Sequence, residues 1–234
     1  MKTVLITGSE GQLGKAYITS LIKKYEVIGF DIFPQCHRKD MAYFRVDITK
    51  LGEIEDTLNE IKNIDILINN AGVACFTPFE ERTEDELDYV IDVNLKGTIF
   101  MIQTVFKHFF KPQKRGCIIN TGSIYGVVSG DMRLYAEGDR RTPEIYGASK
   151  AAVINLTKYF AAYMAPNVRV NCISPGGIFN HQDSEFVQKY SRKVPMGRMG
   201  KEEELLSTLE YLISDESSYV TGQNIVIDGG LTAW

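Results

Sequence analysis

Short runs of consecutive apolar residues alternate along this chain with longer stretches in which apolar residues return every three or four positions. The runs at 2–7 (KTVLIT), 26–32 (EVIGFDI), 42–48 (AYFRVDI), 64–72 (IDILINNAG), 116–123 (GCIINTGS), 168–177 (VRVNCISPGG) and 224–230 (NIVIDGG) are the strand candidates. Several are β-branched and nearly continuous, as a strand buried on both sheet faces requires. Helical spacing occupies 48–63, 85–110, 143–164 and 201–214, and also the segment in which Leu13, Tyr17 and Leu21 recur. Such alternation predicts an α/β fold, a doubly wound parallel sheet with helices on both faces and ligands at the C-terminal ends of the strands. No repeat, linker or composition shift interrupts the 234 residues, so one domain spanning 1–234 is expected.

Composition narrows the classes of partner. With 44% hydrophobic residues, 24% charged residues and a net charge of -4, nothing favours nucleic acid or an anionic membrane. No apolar run reaches the roughly 18 to 20 residues of a membrane span, and the chain opens as a strand without a leader, so a cytoplasmic location is expected. Cys36, Cys75, Cys117 and Cys172 are scattered. Neither a disulfide framework nor a metal site is expected from them.

The first strand runs into Gly8, Gly11 and Gly14, and an amphipathic helix follows. A glycine turn into a helix N-terminus binds phosphate, because free N–H groups and the positive dipole end face a backbone that a pyrophosphate can approach. The strand ending at Asp31, 17 residues past Gly14, places a carboxylate where it can accept hydrogen bonds from both ribose hydroxyls of an adenosine. A 2′-phosphate would meet like charge there, so NAD is preferred over NADP. In EIYGASKAA, Tyr146 and Lys150 are four apart and share a helix face. A neighbouring ammonium lowers a phenol pKa, which would make Tyr146 a general acid/base, and Ser123 closes a strand where it could join them.

These motifs resemble the short-chain dehydrogenase/reductase family over essentially the whole chain: TGSEGQLG, Asp47-Ile48, NNAG (69–72), VNL (93–95), NTGS (120–123), YGASK (146–150), VNCISPGG (170–177) and YVTGQNIVIDGG (219–230). The resemblance implies a Rossmann-type domain that interconverts an alcohol and a ketone by hydride transfer. It implies that Tyr146 exchanges the proton with the reacting oxygen and that Ser123 hydrogen-bonds that oxygen. Lys150 would bind the nicotinamide ribose and lower the Tyr146 pKa, and Asn94 would hold a water leading to solvent. Gly8, Glu10, Gly11, Gln12, Leu13 and Gly14 would form the cofactor loop. Asp47 and Ile48 would frame the adenine, Asn70, Ala71 and Gly72 would line the cofactor, and Pro175, Gly176, Gly177 and Ile178 would back the nicotinamide. A homotetramer or dimer built on the helices near 85–110 and 143–164 is also implied.

Three departures from the family pattern carry information. The G-x-x-G-x-x-G spacing is that of the family's longer sugar-nucleotide epimerases, which keeps that alternative open, although the ending TGQNIVIDGG is that of the shorter enzymes. Ser123 and Tyr146 are 23 apart, more than is usual, and Tyr135 stands nearer the usual distance. Tyr135 is followed four residues on by Asp139 instead of lysine, so Tyr146 is assigned and 127–143 becomes an insertion beside the substrate. Asn180 stands where a threonine often contacts the nicotinamide carboxamide. Arg133, Arg140 and Arg141 in the insertion suit an anionic sugar derivative, such as a sugar phosphate or nucleotide sugar. Together with SPGGIFN and GGLTAW, the insertion is similar to the flagellin-modification branch linked to nonulosonic-acid sugars. The rival readings are a 3-oxoacyl or other small-ketone reductase and a catalytically silent NAD-binding sensor or scaffold.

Overall fold

In the computed structural model, which describes residues 1–135 and 141–234, all seven expected strands form and pair in parallel. They are β1 (Thr3–Thr7), β2 (Glu26–Asp31), β3 (Ala42–Arg45), β4 (Ile66–Asn69), β5 (Gly116–Thr121), β6 (Val168–Pro175) and β7 (Asn224–Ile227), in the order β3-β2-β1-β4-β5-β6-β7. The order reverses between β1 and β4, and the crevice at this switch point is where a doubly wound sheet binds ligands. The molecule is a single-domain Rossmann-type fold.

The helices are α1 (Gln12–Leu21), α2 (Leu51–Glu60), α3 (Glu84–Ile91), α4 (Thr98–Val105), α5 (Lys111–Gln113), α6 (Glu144–Met164), α7 (Ser184–Lys193) and α8 (Leu206–Ile213). Successive residues of β1 point to opposite faces, and two cores result. Leu5 joins Ile54, Leu58, Met101, Val105 and Met164 from α2, α4 and α6. Val4 and Ile6 join Tyr17, Ile18, Leu21, Leu209 and Leu212 from α1 and α8.

The expected helix over 85–110 forms with two π-helical interruptions, Asp92–Gly97 and Phe106–Phe110. The first carries Asn94 inward, and π-bulges of this kind recur at functional sites. The polar segment 180–197 contains α7, whose Tyr190 is buried against Leu134, Val194 and Met199. No helix among the described residues is long and apolar enough to cross a membrane.

Candidate active site

The glycine turn is shaped by contact as well as by conformation. Gly8 has φ +65°, and a Cβ on Gly14 would lie 2.2 Å from the Gly8 carbonyl oxygen, so the turn closes only without side chains. Gly11 caps α1 without a side-chain hydrogen bond, and no acidic residue occupies the first turn. The N–H groups at that terminus are therefore offered to an anion. Asp31, 8% exposed at the end of β2, accepts from Glu10 N at 2.8 Å and from Phe33 N at 3.3 Å. Its carboxylate is thus fixed while facing a cleft of about 490 Å³.

That cleft is lined by Gly8, Gly11, Gln12, Leu13, Asp31, Asp47, Ile48, Asn70, Ala71, Gly72, Tyr146 and Lys150. Among the residues expected there, Gly14 acts through the turn, while Pro175 and Gly176 do not line it. Gly177 and Ile178 line the neighbouring pocket instead. The Glu10 carboxylate turns away to His37, whose Nδ1 lies 2.9 Å from Oε1. Ile32, Phe33, Thr49 and Tyr89 also line the cleft, and the sequence reading did not single them out. Ile32 and Phe33 directly follow Asp31, which was the available signal. An elongated cleft with a bare helix N-terminus at one side and a fixed carboxylate at the ribose end fits a dinucleotide.

A second cavity of about 580 Å³ adjoins the first, and Gly72, Val73 and Tyr146 line both. Tyr146 therefore stands at the junction. The Ser123 hydroxyl hydrogen-bonds the Tyr146 hydroxyl across the 23-residue separation. Ser123 is held in extended backbone at the end of the sheet, and its Oγ also accepts from Tyr125 N at 3.2 Å. Tyr135 does not reach this group; its hydroxyl bonds Thr142. Lys150 is buried, donates from Nζ to the Thr121 carbonyl at 2.8 Å, and lies 5.7 Å from the centre of the Tyr146 ring.

The electrostatics differ from the sequence expectation. Burial raises the Tyr146 pKa above the ordinary phenol value, and the Ser123 hydrogen bond opposes this in part. Burial pushes the Lys150 pKa down to about 8. For Tyr146 the loss of solvent dominates, and the Lys150 ammonium is directed at the Thr121 carbonyl.

Asn94 is buried and does structural work of its own. Its Oδ1 accepts from Val73 N at 2.8 Å, and its Nδ2 donates to Val73 O at 2.9 Å and to Ser149 Oγ at 3.0 Å. Ser149 in turn donates to the Tyr146 carbonyl at 2.8 Å. One side chain thereby ties the 72–73 wall of both cavities to the helix that carries Tyr146 and Lys150.

Arg133 and Arg141, expected at the substrate, do not line this pocket. Arg133 is 84% exposed and forms a two-pronged pair with Asp131, at 3.0 and 2.9 Å. Lys193 also contacts Asp131. Arg141 lines a separate groove with Phe79, Val127 and Met132. Arg140 and Asp139 lie outside the described residues. Asn180 is exposed, and its N–H donates to Gln182 Oε1 at 2.7 Å; Gln182, not Asn180, lines the pocket. Among the described residues, the pocket wall combines the aromatic rings of Phe76, Tyr125, Tyr135, Phe186 and Tyr190 with Gln182, Asp183 and Glu185, and it carries no lysine or arginine.

The chain is similar to known proteins over most of its length. A family model described as enoyl-(acyl carrier protein) reductase matches residues 33–232. The chain is 34% identical over 230 residues to a 3-oxoacyl-[acyl-carrier-protein] reductase of Thermotoga maritima, covering 94% of this chain and 85% of that protein. It is 32% identical over 251 residues to an NAD-dependent glycerol dehydrogenase of Listeria innocua, covering 99% and 94%. Among solved structures, a short chain dehydrogenase of Leptospira borgpetersenii with bound NAD+ superimposes with a TM-score of 0.92 at 44% identity, covering 99% of this chain and 92% of that one.

Proposed function

The chain belongs to the short-chain dehydrogenase/reductase family and is an NAD(P)-dependent oxidoreductase; from that premise we propose that it uses NAD to interconvert a secondary alcohol and a ketone on a neutral, polyhydroxylated substrate such as a sugar or polyol. The observation that carries this reading is the position of Tyr146, on the shared wall of the dinucleotide cleft and a pocket that pairs aromatic rings with hydroxyl-accepting carboxylates and an amide. Rings cover the apolar faces of a sugar, and Asp183, Glu185 and Gln182 can accept from its hydroxyls. The same carboxylates, without a basic residue on the described wall, oppose a phosphorylated substrate. The likeness to a glycerol dehydrogenase supports a polyol, and the likeness to a 3-oxoacyl reductase, with Val73, Ala74 and Phe76 on the wall, supports a small ketone as the second reading.

In this reading NAD, when bound, accepts or supplies the hydride. Ser123 orients the reacting oxygen and Tyr146 holds the transferable proton. With its pKa raised, Tyr146 is a neutral phenol at neutral pH, ready to protonate a carbonyl oxygen. Lys150, on the wall of the dinucleotide cleft, would hold the nicotinamide ribose, while Asn94 fixes the wall between the two cavities. Asp31 selects the unphosphorylated ribose.

Tyr146→Phe should keep cofactor affinity and lower kcat by about 10² or more, since general acid/base catalysis is lost while the ring still packs. Tyr135→Phe should leave kcat within a few-fold, because that hydroxyl bonds Thr142. Steady-state rates on a polyol panel, a keto-sugar panel and a 3-oxoacyl thioester would decide the substrate class. Reversed effects of the two tyrosines would overturn the catalytic assignment.

A further inference from the structure

Outside both cavities, the fold gathers three chemically distinct metal donors from two distant parts of the chain. Glu10 from the glycine turn and Cys36 and His37 from the connection after β2 place a carboxylate oxygen, Sγ and an imidazole nitrogen within 4.8 Å of one another. The Glu10 side chain is only 6% exposed. It is the common acceptor of the group: His37 Nδ1 lies 2.9 and 3.0 Å from its two oxygens, His37 N donates to it at 3.2 Å, and the Cys36 thiol also hydrogen-bonds it. Arg38 N donates to Cys36 Sγ at 3.4 Å, a contact that would help hold a thiolate. None of the three lines the dinucleotide cleft.

We propose that Glu10, Cys36 and His37 form a binding site for one divalent zinc-type cation, which fastens the connection after β2 to the glycine turn. Thiolate, imidazole and carboxylate together select a borderline-soft ion that accepts tetrahedral coordination, with the fourth position left to water. The three donor atoms already lie within 4.8 Å of one another. On binding, the Cys36 thiol gives its proton to solvent, neutral His37 takes the tautomer with its single ring proton on Nε2 so that Nδ1 can ligate, and the Glu10 carboxylate binds the ion in place of its hydrogen-bond donors, with one proton released in all. Two cations stand nearby. Lys15 Nζ, 3.7 Å from Glu10 Oε2, is on a half-exposed side chain free to turn to water, and the Arg38 guanidinium is occupied by Asp40 at 2.8 and 2.6 Å. The site does not depend on the identity of the proposed substrate.

The test uses the full chain, reduced and stripped with chelator, titrated with Co2+ and then Zn2+. One Co2+ per chain should bind with a thiolate-to-cobalt charge-transfer band, Zn2+ should displace it, and one proton should be released. Cys36→Ser should abolish the band and weaken Zn2+ binding at least about ten-fold, and His37→Gln should weaken it comparably. Cys75→Ser should change neither. Zn2+ should raise Tm in the parent and not in Cys36→Ser. Zn2+ binding no tighter in the parent than in Cys36→Ser, or a charge-transfer band that survives that substitution, overturns the site. Circular dichroism of each variant without metal distinguishes lost ligation from lost folding.

Discussion

The most demanding test of the site's energetics is Lys150→Met, because it sets stability against activity. Lys150 is 4% exposed, donates to the Thr121 carbonyl, and burial pushes its pKa from the ordinary lysine value of 10.5 down to about 8. The folded chain thus binds this proton more weakly than the unfolded chain, so the ammonium lowers stability wherever the unfolded chain is protonated. The cost is complete below about pH 8 and is relieved as pH rises toward the unfolded value near 10.5. A gap of about 2.5 pH units corresponds to roughly 3 kcal/mol at neutral pH, and the same linkage leaves roughly 1 kcal/mol at about pH 10. Losing the Thr121 hydrogen bond costs the variant about 1 to 3 kcal/mol, largely independent of pH. Urea unfolding of parent and Lys150→Met should therefore differ in their pH dependence, with the variant's relative stability falling by roughly 2 to 3 kcal/mol between about pH 7 and pH 10. Turnover should fall at both pH values. A stability difference that stays constant within about 0.5 kcal/mol would refute the claim that a charged lysine is buried here against its solvation preference.

Asp31→Ser should narrow the preference for NAD over NADP, measured as the ratio of kcat/KM values; equal ratios in the parent would remove the carboxylate's assigned role. Gly14→Ala should destabilise by about 1 to 3 kcal/mol and weaken cofactor binding in calorimetry, because the added Cβ meets backbone that cannot yield. Arg133→Gln should alter kcat/KM on any substrate by less than about two-fold, since an exposed pair with Asp131 contributes little; a ten-fold loss confined to phosphorylated substrates would restore the anionic reading.

Much of this protein is legible in its residue order. The strands could be read because parallel strands covered on both faces must be apolar throughout, and Val4, Leu5 and Ile6 are buried on alternate sides. The glycine turn could be read because Gly8 and Gly14 answer local requirements of φ and approach. Tyr146 and Lys150 could be paired because four residues of helix put them on one face. These are short-range constraints, and short-range constraints leave a sequence pattern.

What tertiary structure alone decided lies at longer range. The Ser123–Tyr146 contact across an insertion, and the diversion of Tyr135 to Thr142, depend on how β5 meets α6. The arginines of the insertion suggest an anion until Asp131 is found beside Arg133, for a surface ion pair satisfies a charge that a sequence shows only as charge. Helix α7 is polar along most of its sequence because one buried ring, Tyr190, sets its buried face. The direction of the Tyr146 and Lys150 pKa shifts follows from burial, which outweighs their proximity. Glu10 meets the neighbouring pair Cys36 and His37 only because β2 returns beside β1, so no spacing rule along the chain could have joined that carboxylate to the two other donors.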